Sequence, residues 1–287
     1  MKVAIISGKG GSGKSSISAA FIALAKQVVA VDCDVDASNL PLVFPHETIK
    51  SERFVSGEEI TIDTSRCIGC GRCAELCSFK AIRMVDGKAT ASNLLCEGCA
   101  FCIRLCPVQA ISLQDTANSS IYTSRFDGGL LVHGDLYPGD DNSGKMIARL
   151  RTIADEEMEK RGIDLQLLDG PPGIGCPVLS TVTGADRVVI VCEPTLSGLS
   201  DLKRAFKVAS SFCRDLSVII NKSDINADNR KAIATFCREQ QIPVVAELPF
   251  DKQLVEAQLH CESIVTYAPE CNCSRLLREA YTAICCR

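Results

Sequence analysis

The stretch Val3-Ala4-Ile5-Ile6-Ser7-Gly8-Lys9-Gly10-Gly11-Ser12-Gly13-Lys14-Ser15-Ser16 decides the fold. Its apolar opening reads as a parallel strand buried on both faces. From Gly8 to Ser15 the spacing is G-x-x-x-x-G-K-[ST], the pattern of a phosphate-binding loop. Glycines let backbone N–H groups approach phosphate oxygens. Lys14 is placed to reach the β- and γ-phosphates, and Ser15 to ligate Mg²⁺. The expected nucleotide contacts are Gly8, Gly10, Gly11, Ser12, Gly13, Lys14, Ser15 and Ser16. A helix is expected from about Lys14 to Lys26, with Ile17, Ala20, Phe21 and Leu24 on one face and its N-terminus toward the phosphates.

Further apolar runs end in polar residues at similar places. Val28–Val31 runs into Asp32-Cys33-Asp34, and Leu165–Leu168 into Asp169-Gly170-Pro171-Pro172-Gly173. Val188–Val191 leads to Glu193-Pro194-Thr195, Val218–Ile220 to Asn221-Lys222-Ser223-Asp224, and a last strand covers Val244–Pro249. Strands alternating with helices imply an α/β fold, a doubly wound and mostly parallel sheet with ligand at the carboxyl ends of its strands. Asn221-Lys222-Ser223-Asp224 also fits the N-K-x-D pattern that reads guanine, so Asp224 keeps GTP open beside ATP.

The chain has 18 cysteines in 287 residues. Eight form a duplication: Cys67, Cys70, Cys73 and Cys77 recur 29 residues later as Cys96, Cys99, Cys102 and Cys106. Both halves read C-x2-C-x2-C-x3-C, and the offset extends to Ala81-Ile82 and Ala110-Ile111. The run resembles a two-cluster bacterial ferredoxin over about 58–116. In that pattern the fourth cysteine of each run ligates the other cluster. The resemblance assigns Cys67, Cys70, Cys73 and Cys106 to one [4Fe–4S] cluster, and Cys96, Cys99, Cys102 and Cys77 to the other. Ser78 stands where a proline is usual. Two zinc sites are the alternative, although zinc ribbons pair C-x2-C knuckles rather than running four cysteines evenly.

Lys9 gives the first loop a second lysine. The form G-K-G-G-x-G-K-S resembles the deviant Walker A motif of the MinD/Mrp/nitrogenase iron protein class of ATPases. The resemblance implies an ATP-bound homodimer in which Lys9 reaches the nucleotide of the other subunit. It further implies that Asp34 orients the attacking water, and that Asp32 lies near Mg²⁺ or Lys9. Asp169 would hold Mg²⁺ through water, Gly173 would sense the γ-phosphate through its N–H, and Asn221 would meet the base edge, here of adenine. The implied architecture is an ATPase domain from 1–57 and 117–287, with an α+β ferredoxin-like domain inserted at 58–116.

Lys plus Arg number 31 and Asp plus Glu 35, a net charge of −4, with no basic excess for nucleic acid. No apolar stretch reaches 18 residues, and the N-terminus does not read as a signal peptide. The expectation is a cytoplasmic protein with reduced thiols and no membrane association. Cys192, Cys213 and Cys237 read as packed core thiols. Cys176, seven residues past Asp169, is a candidate ligand for a cluster bridging two subunits, with core packing as the alternative. Cys261, Cys271, Cys273, Cys285 and Cys286 lack cluster or zinc-knuckle spacing. Leu276-Leu277, Ala280-Tyr281 and Ile284-Cys285 form an apolar helical face expected to pack onto the domain. Asp140-Asp141-Asn142-Ser143 precedes an amphipathic helix, with Asn142 or Ser143 as its expected N-cap. Three functional readings follow: an ATP-gated electron-transfer protein, an Mrp-type factor for cluster assembly or delivery, and a MinD-like positioning ATPase with redox-sensing clusters. The first two imply a protein redox or cofactor-assembly partner.

Overall fold

The computed structural model describes residues 1–55, 57–116, 118–137 and 142–286. They form two compact units. The larger holds Met1–Glu52, Ile121–Asp135 and Ser143–Arg287; the smaller holds Arg53–Ser120 and Leu136–Asn142.

In chain order the strands are β1 (Lys2–Ser7), β2 (Val28–Asp32), β3 (His46–Phe54), β4 (Gly57–Ile62), β5 (Ile82–Val85), β6 (Lys88–Ala91) and β7 (Ile111–Thr116). They continue with β8 (Ser119–Phe126), β9 (Gly129–Asp135), β10 (Gln166–Pro172), β11 (Arg187–Cys192), β12 (Leu216–Ile220) and β13 (Val244–Glu247). The helices are α1 (Lys14–Leu24), α2 (Leu40–Val43), α3 (Arg72–Leu76), α4 (Phe101–Leu105), α5 (Ser143–Arg161) and α6 (Cys176–Val182). After them come α7 (Leu196–Ala209), α8 (Ala227–Glu239), α9 (Lys252–Leu259), α10 (Ile264–Tyr267) and α11 (Asn272–Cys285).

Among the described residues, nine strands make one sheet in the order β13-β12-β11-β1-β10-β2-β9-β8-β3. From β13 to β9 every neighbouring pair is parallel. β1 is central because Val3–Ile6 is apolar at every position and entirely buried, which suits a strand with helices on both faces. Val3 and Ile5 join Ile17 and Phe21 of α1 and Leu277 and Ile284 of α11 in one core cluster. Met146, Ile147 and Leu150 of α5 are buried on the opposite face. Tyr281 of α11 meets Phe21 edge-on at 5.7 Å, so the amphipathic face of α11 is covered. No helix among the described residues is long and apolar enough to cross a membrane. Asp140 and Asp141 lie outside the described residues, and α5 begins at Ser143.

The smaller unit has two antiparallel pairs. In β4–β7, Ile60 faces Leu113 and Ile62 faces Ile111. In β5–β6, Ile82 faces Ala91 and Val85 faces Lys88. The 29-residue repeat is one supersecondary unit written twice: β4–α3–β5 and then β6–α4–β7. Its core cluster is Ile60, Ile82, Ala89 and Ile111, against which Cys67, Cys73, Cys96, Cys102 and Cys106 pack.

Candidate functional site

β1 ends beneath a loop shaped by backbone geometry. Gly13 has φ 87°, in the left-handed region, and a Cβ there would lie 2.2 Å from the Asn221 amide nitrogen. Asn221, at the end of β12, donates from Nδ2 to the Ser12 carbonyl at 2.9 Å and so fixes the loop to the sheet. No side chain caps α1 at Gly13. Its first-turn N–H groups therefore remain for an anion, as a phosphate site requires.

Lys14 and Asp169 form a buried ion pair. Lys14 Nζ lies 2.7 Å from Asp169 Oδ1 and 3.0 Å from Ser15 Oγ, with side chains 5% and 1% exposed. Ser18, one turn beyond Lys14, donates to the same Asp169 oxygen at 2.6 Å. The other oxygen, Oδ2, is buried with no partner among the described residues. A buried orphan acceptor beside Ser15 suits a hydrated cation, so the donors present fit Mg²⁺.

Asp32 organises the segment after β2. It accepts from Asp34 N–H at 3.1 Å, Ser38 Oγ at 2.7 Å, and the N–H groups of Asn39 and Leu40 at 3.0 Å each. Burial, and then the charge of Asp169, push its carboxyl up to about 7. Burial also raises Asp34, which is half-buried. Gly173 donates its N–H to the Ser7 carbonyl at 2.9 Å, so the loop after β10 is docked on the end of β1. Ser16 accepts from Gln258 of α9 at 2.6 Å.

Lys9 is held in cis. Its Nζ lies 2.5 Å from Glu193 Oε1, 3.1 Å from Ser197 Oγ and 3.4 Å from Thr195 Oγ1. Lys222 approaches the other Glu193 oxygen at 3.2 Å and the Gly11 carbonyl at 3.1 Å. Burial works to raise the Glu193 carboxyl, but the two ammonium groups override it and hold it below its ordinary value. Asp224 accepts from Phe250 N–H at 2.8 Å, tying the loop after β12 to the loop after β13.

The motifs thus bring Lys14, Ser15, Asp32, Asp34 and Asp169 together, with Asn221 behind the loop. Sequence reading did not single out Ser18, Ser38, Gln258 or the double role of Glu193. Ser18 and Ser38 lie close in sequence to the motif residues they serve, which is a usable signal. Gln258 meets Ser16 across 242 residues of chain, which no local pattern announces.

In the smaller unit the eight duplicated thiols sort into two cavities. Cys77, Cys96, Cys99 and Cys102 line one of about 260 Å³, with Cys73 in its wall. Cys67, Cys70, Cys73 and Cys106 line a narrower one of about 20 Å³. Among the described residues, no three His, Cys, Asp or Glu side chains lie close enough to share one metal ion. Ala81 N–H points at Cys77 Sγ at 3.4 Å, and its repeat mate Ala110 N–H at Cys106 Sγ at 3.2 Å. N–H groups of Ala89 and Gly69, with Lys88 adding its charge, lower the Cys67 thiol. At Cys67 this favours the thiolate. Burial raises Cys73 and Cys102, the opposing effect.

The other cysteines are dispersed. Cys192, Cys213 and Cys237 are buried core thiols. Cys176 opens α6, exposed, and belongs to no group of three metal-ligating side chains among the described residues. Cys271 caps the start of α11, accepting from Ser274 N–H at 3.3 Å, whereas Cys285 ends the same helix. Cys273 is buried and points at the Pro249 carbonyl. Opposite ends of one helix cannot share an ion.

A phosphate loop opening a parallel sheet, two acidic strand ends and a second loop lysine define a P-loop nucleotide-binding class. Residues 3–264 match the model of the CobQ/CobB/MinD/ParA nucleotide binding domain, and the chain belongs to that family of P-loop ATPases. It is 40% identical over 232 residues to the Methanocaldococcus jannaschii protein MJ0578, covering 80% of each chain. Its fold is similar to the septum site-determining protein MinD of Pyrococcus horikoshii OT3, complexed with Mg-ADP: TM-score 0.58, 17% identity, 99% of this chain and 96% of that one. It is also similar to the MinC:MinD cell division complex of Aquifex aeolicus, with TM-score 0.58, 18% identity, and coverage of 100% and 96%.

Proposed function

We propose that the chain is an ATP-driven switch joined to a two-cluster [4Fe–4S] electron carrier, working in the cytoplasm as an ATP-bound homodimer with a protein redox partner. The observation that carries this reading is the sorting of the eight thiols, since the four expected for each cluster line a common cavity. When bound, such clusters would supply one-electron redox chemistry. Cys67, Cys70, Cys73 and Cys106 would hold one, and Cys77, Cys96, Cys99 and Cys102 the other.

In the larger unit, Lys14 would exchange Asp169 for the β- and γ-phosphates. Ser15 and the free oxygen of Asp169 would then take Mg²⁺, the second through water, with Asp32 nearby. Asp34 would orient the attacking water. Gly173 would exchange the Ser7 carbonyl for the γ-phosphate, and Lys9 would leave Glu193 for the nucleotide of the partner subunit. Asn221 would meet the base edge. Asp224 is engaged by Phe250, which favours ATP over GTP. The likeness to MinD with Mg-ADP supports an adenine nucleotide with magnesium.

The test is anaerobic. The reduced protein should give cluster EPR signals whose midpoint or line shape changes with Mg·ATP. Lys14→Ala should abolish hydrolysis and leave those signals intact. Signals and acceptor reduction indifferent to nucleotide would overturn the coupling. Exposed Cys176, just past the switch segment, favours a second reading as an assembly or delivery factor. Irons fully retained on incubation with apo-acceptor proteins would exclude it. The apolar face of α11 packs on α1 through Tyr281 and Phe21, which does not favour a membrane-binding role for that helix in the positioning reading.

A further inference from the structure

The duplication permits a controlled comparison, because each residue near one cysteine set has a counterpart 29 positions away near the other. The scaffolds match and the charges do not. Arg72, which lines the cavity of the first set, corresponds to Phe101, which lines the cavity of the second. Arg66 donates to the carbonyl of Val108, a residue in the wall of the first cavity, at 2.9 Å; its counterpart is Leu95. Ile68 lines the first cavity where Glu97 lines the second. Lys88 donates to the carbonyl of Cys67, and its counterpart is Glu59. The two glycine turns also differ in what they face. A Cβ on Gly69 would meet the backbone carbonyl of Gly87, whereas a Cβ on the equivalent Gly98 would lie 3.9 Å from the side-chain carboxylate of Glu58. Gly87 and Glu58 are again 29 apart. Glu75 and Arg104 are a further duplicated pair of opposite sign, but they line neither cavity.

We infer that Arg66, Arg72 and Lys88 on one side, and Glu58 and Glu97 on the other, make the two cluster sites electrostatically unequal, with the Cys67 set at the higher reduction potential. This rests on the proposed two-cluster reading. Each cube takes one electron and gains one negative charge on reduction. Cations beside the first set stabilise that charge, and carboxylates beside the second oppose it. Electrons supplied at the second set therefore pass downhill to the first.

A mediated potentiometric titration followed by EPR, with dithionite as reductant and clusters reconstituted in the full chain, tests the inference. Two resolved midpoints are expected. Arg72→Gln should lower only the higher one, by about threefold to tenfold in the reduction equilibrium, up to about 59 mV for one electron. Glu97→Gln should raise only the lower one. Coincident midpoints, or two variants that leave both midpoints in place in a protein holding its full iron, would overturn the inference and leave the cluster reading intact. Absence of iron and labile sulfide after reconstitution would overturn both.

Discussion

The larger unit fuses residues from distant elements, among them Val3, Ile17, Phe21, Leu277 and Ile284, into one extended buried core. The smaller has a core cluster of Ile60, Ile82, Ala89 and Ile111, roofed by cysteines. A unit of its size rarely draws more than about 3–5 kcal/mol from such a core, and small domains of this kind lean on metals or disulfides. All 18 cysteines are free thiols here. The contrast is between a unit with one extended apolar core and a unit with a small core beside two cysteine-lined cavities.

The strongest way to break that comparison is to take the metal away. Anaerobic chelation of the reconstituted protein should expose the smaller unit to limited proteolysis while the nucleotide unit keeps its thermal transition. Loss of both together would show that the units are not independently stabilised.

Next in size is the buried pair at the nucleotide site. Lys14→Ala leaves Asp169 buried and uncompensated, so nucleotide-free protein should lose about 3–5 kcal/mol in denaturant titration. Adding Asp169→Asn should restore much of that stability. Hydrolysis should be abolished in both variants. A Lys14→Ala protein of unchanged stability would contradict the buried ion pair.

Lys9 sharpens the contrast between a buried lysine and a half-exposed one. Lys9→Ala should change stability by less than about 1 kcal/mol, because Lys9 is itself about a third exposed and Glu193 keeps Lys222 as a partner. ATP hydrolysis should fall by about 100-fold or more with nucleotide binding kept, as for loss of a transition-state cation. Equal loss of binding and turnover would place Lys9 in the ground-state site instead.

The last test is a pH dependence, whose effect on nucleotide affinity is the smallest. Asp32 is raised from 3.8 to about 7, so the folded protein binds more protons than the unfolded chain across that window. Stability of the nucleotide-free form should therefore fall as pH rises through it. Mg²⁺ favours the charged carboxylate, so Mg·ATP affinity should tighten several-fold between about pH 6 and 8. Calorimetry showing affinity flat over that range would remove Asp32 from the site.

Much of the nucleotide unit was legible because its information is local. The Gly8–Ser15 spacing and the fully apolar β1 sit in one short stretch, and each acidic motif directly follows its strand. The edge of the sheet was not legible. β3, His46-Glu47-Thr48-Ile49-Lys50-Ser51-Glu52-Arg53-Phe54, is largely exposed and charged, so no apolar alternation marks it. β8 and β9 lack a motif, although Leu130-Leu131-Val132 is buried. α7 starts at Leu196 because Thr195 caps it by accepting from Gly198 N–H, directly after the polar end of β11. The cis-held state of Lys9 was also out of reach, since Glu193 binds it across 184 residues of chain. The cysteine sets were legible through their repeat. The charge difference between their cavities depends on the fold, which sets Arg72 in one wall and Glu97 in the other.

The most direct measurement is anaerobic metal analysis with labile-sulfide determination on the purified, reconstituted chain. The account predicts about eight irons and eight sulfides per chain, with half of each lost when Cys106→Ser removes one ligand of the Cys67 set. About two zinc ions and no labile sulfide per chain would contradict it.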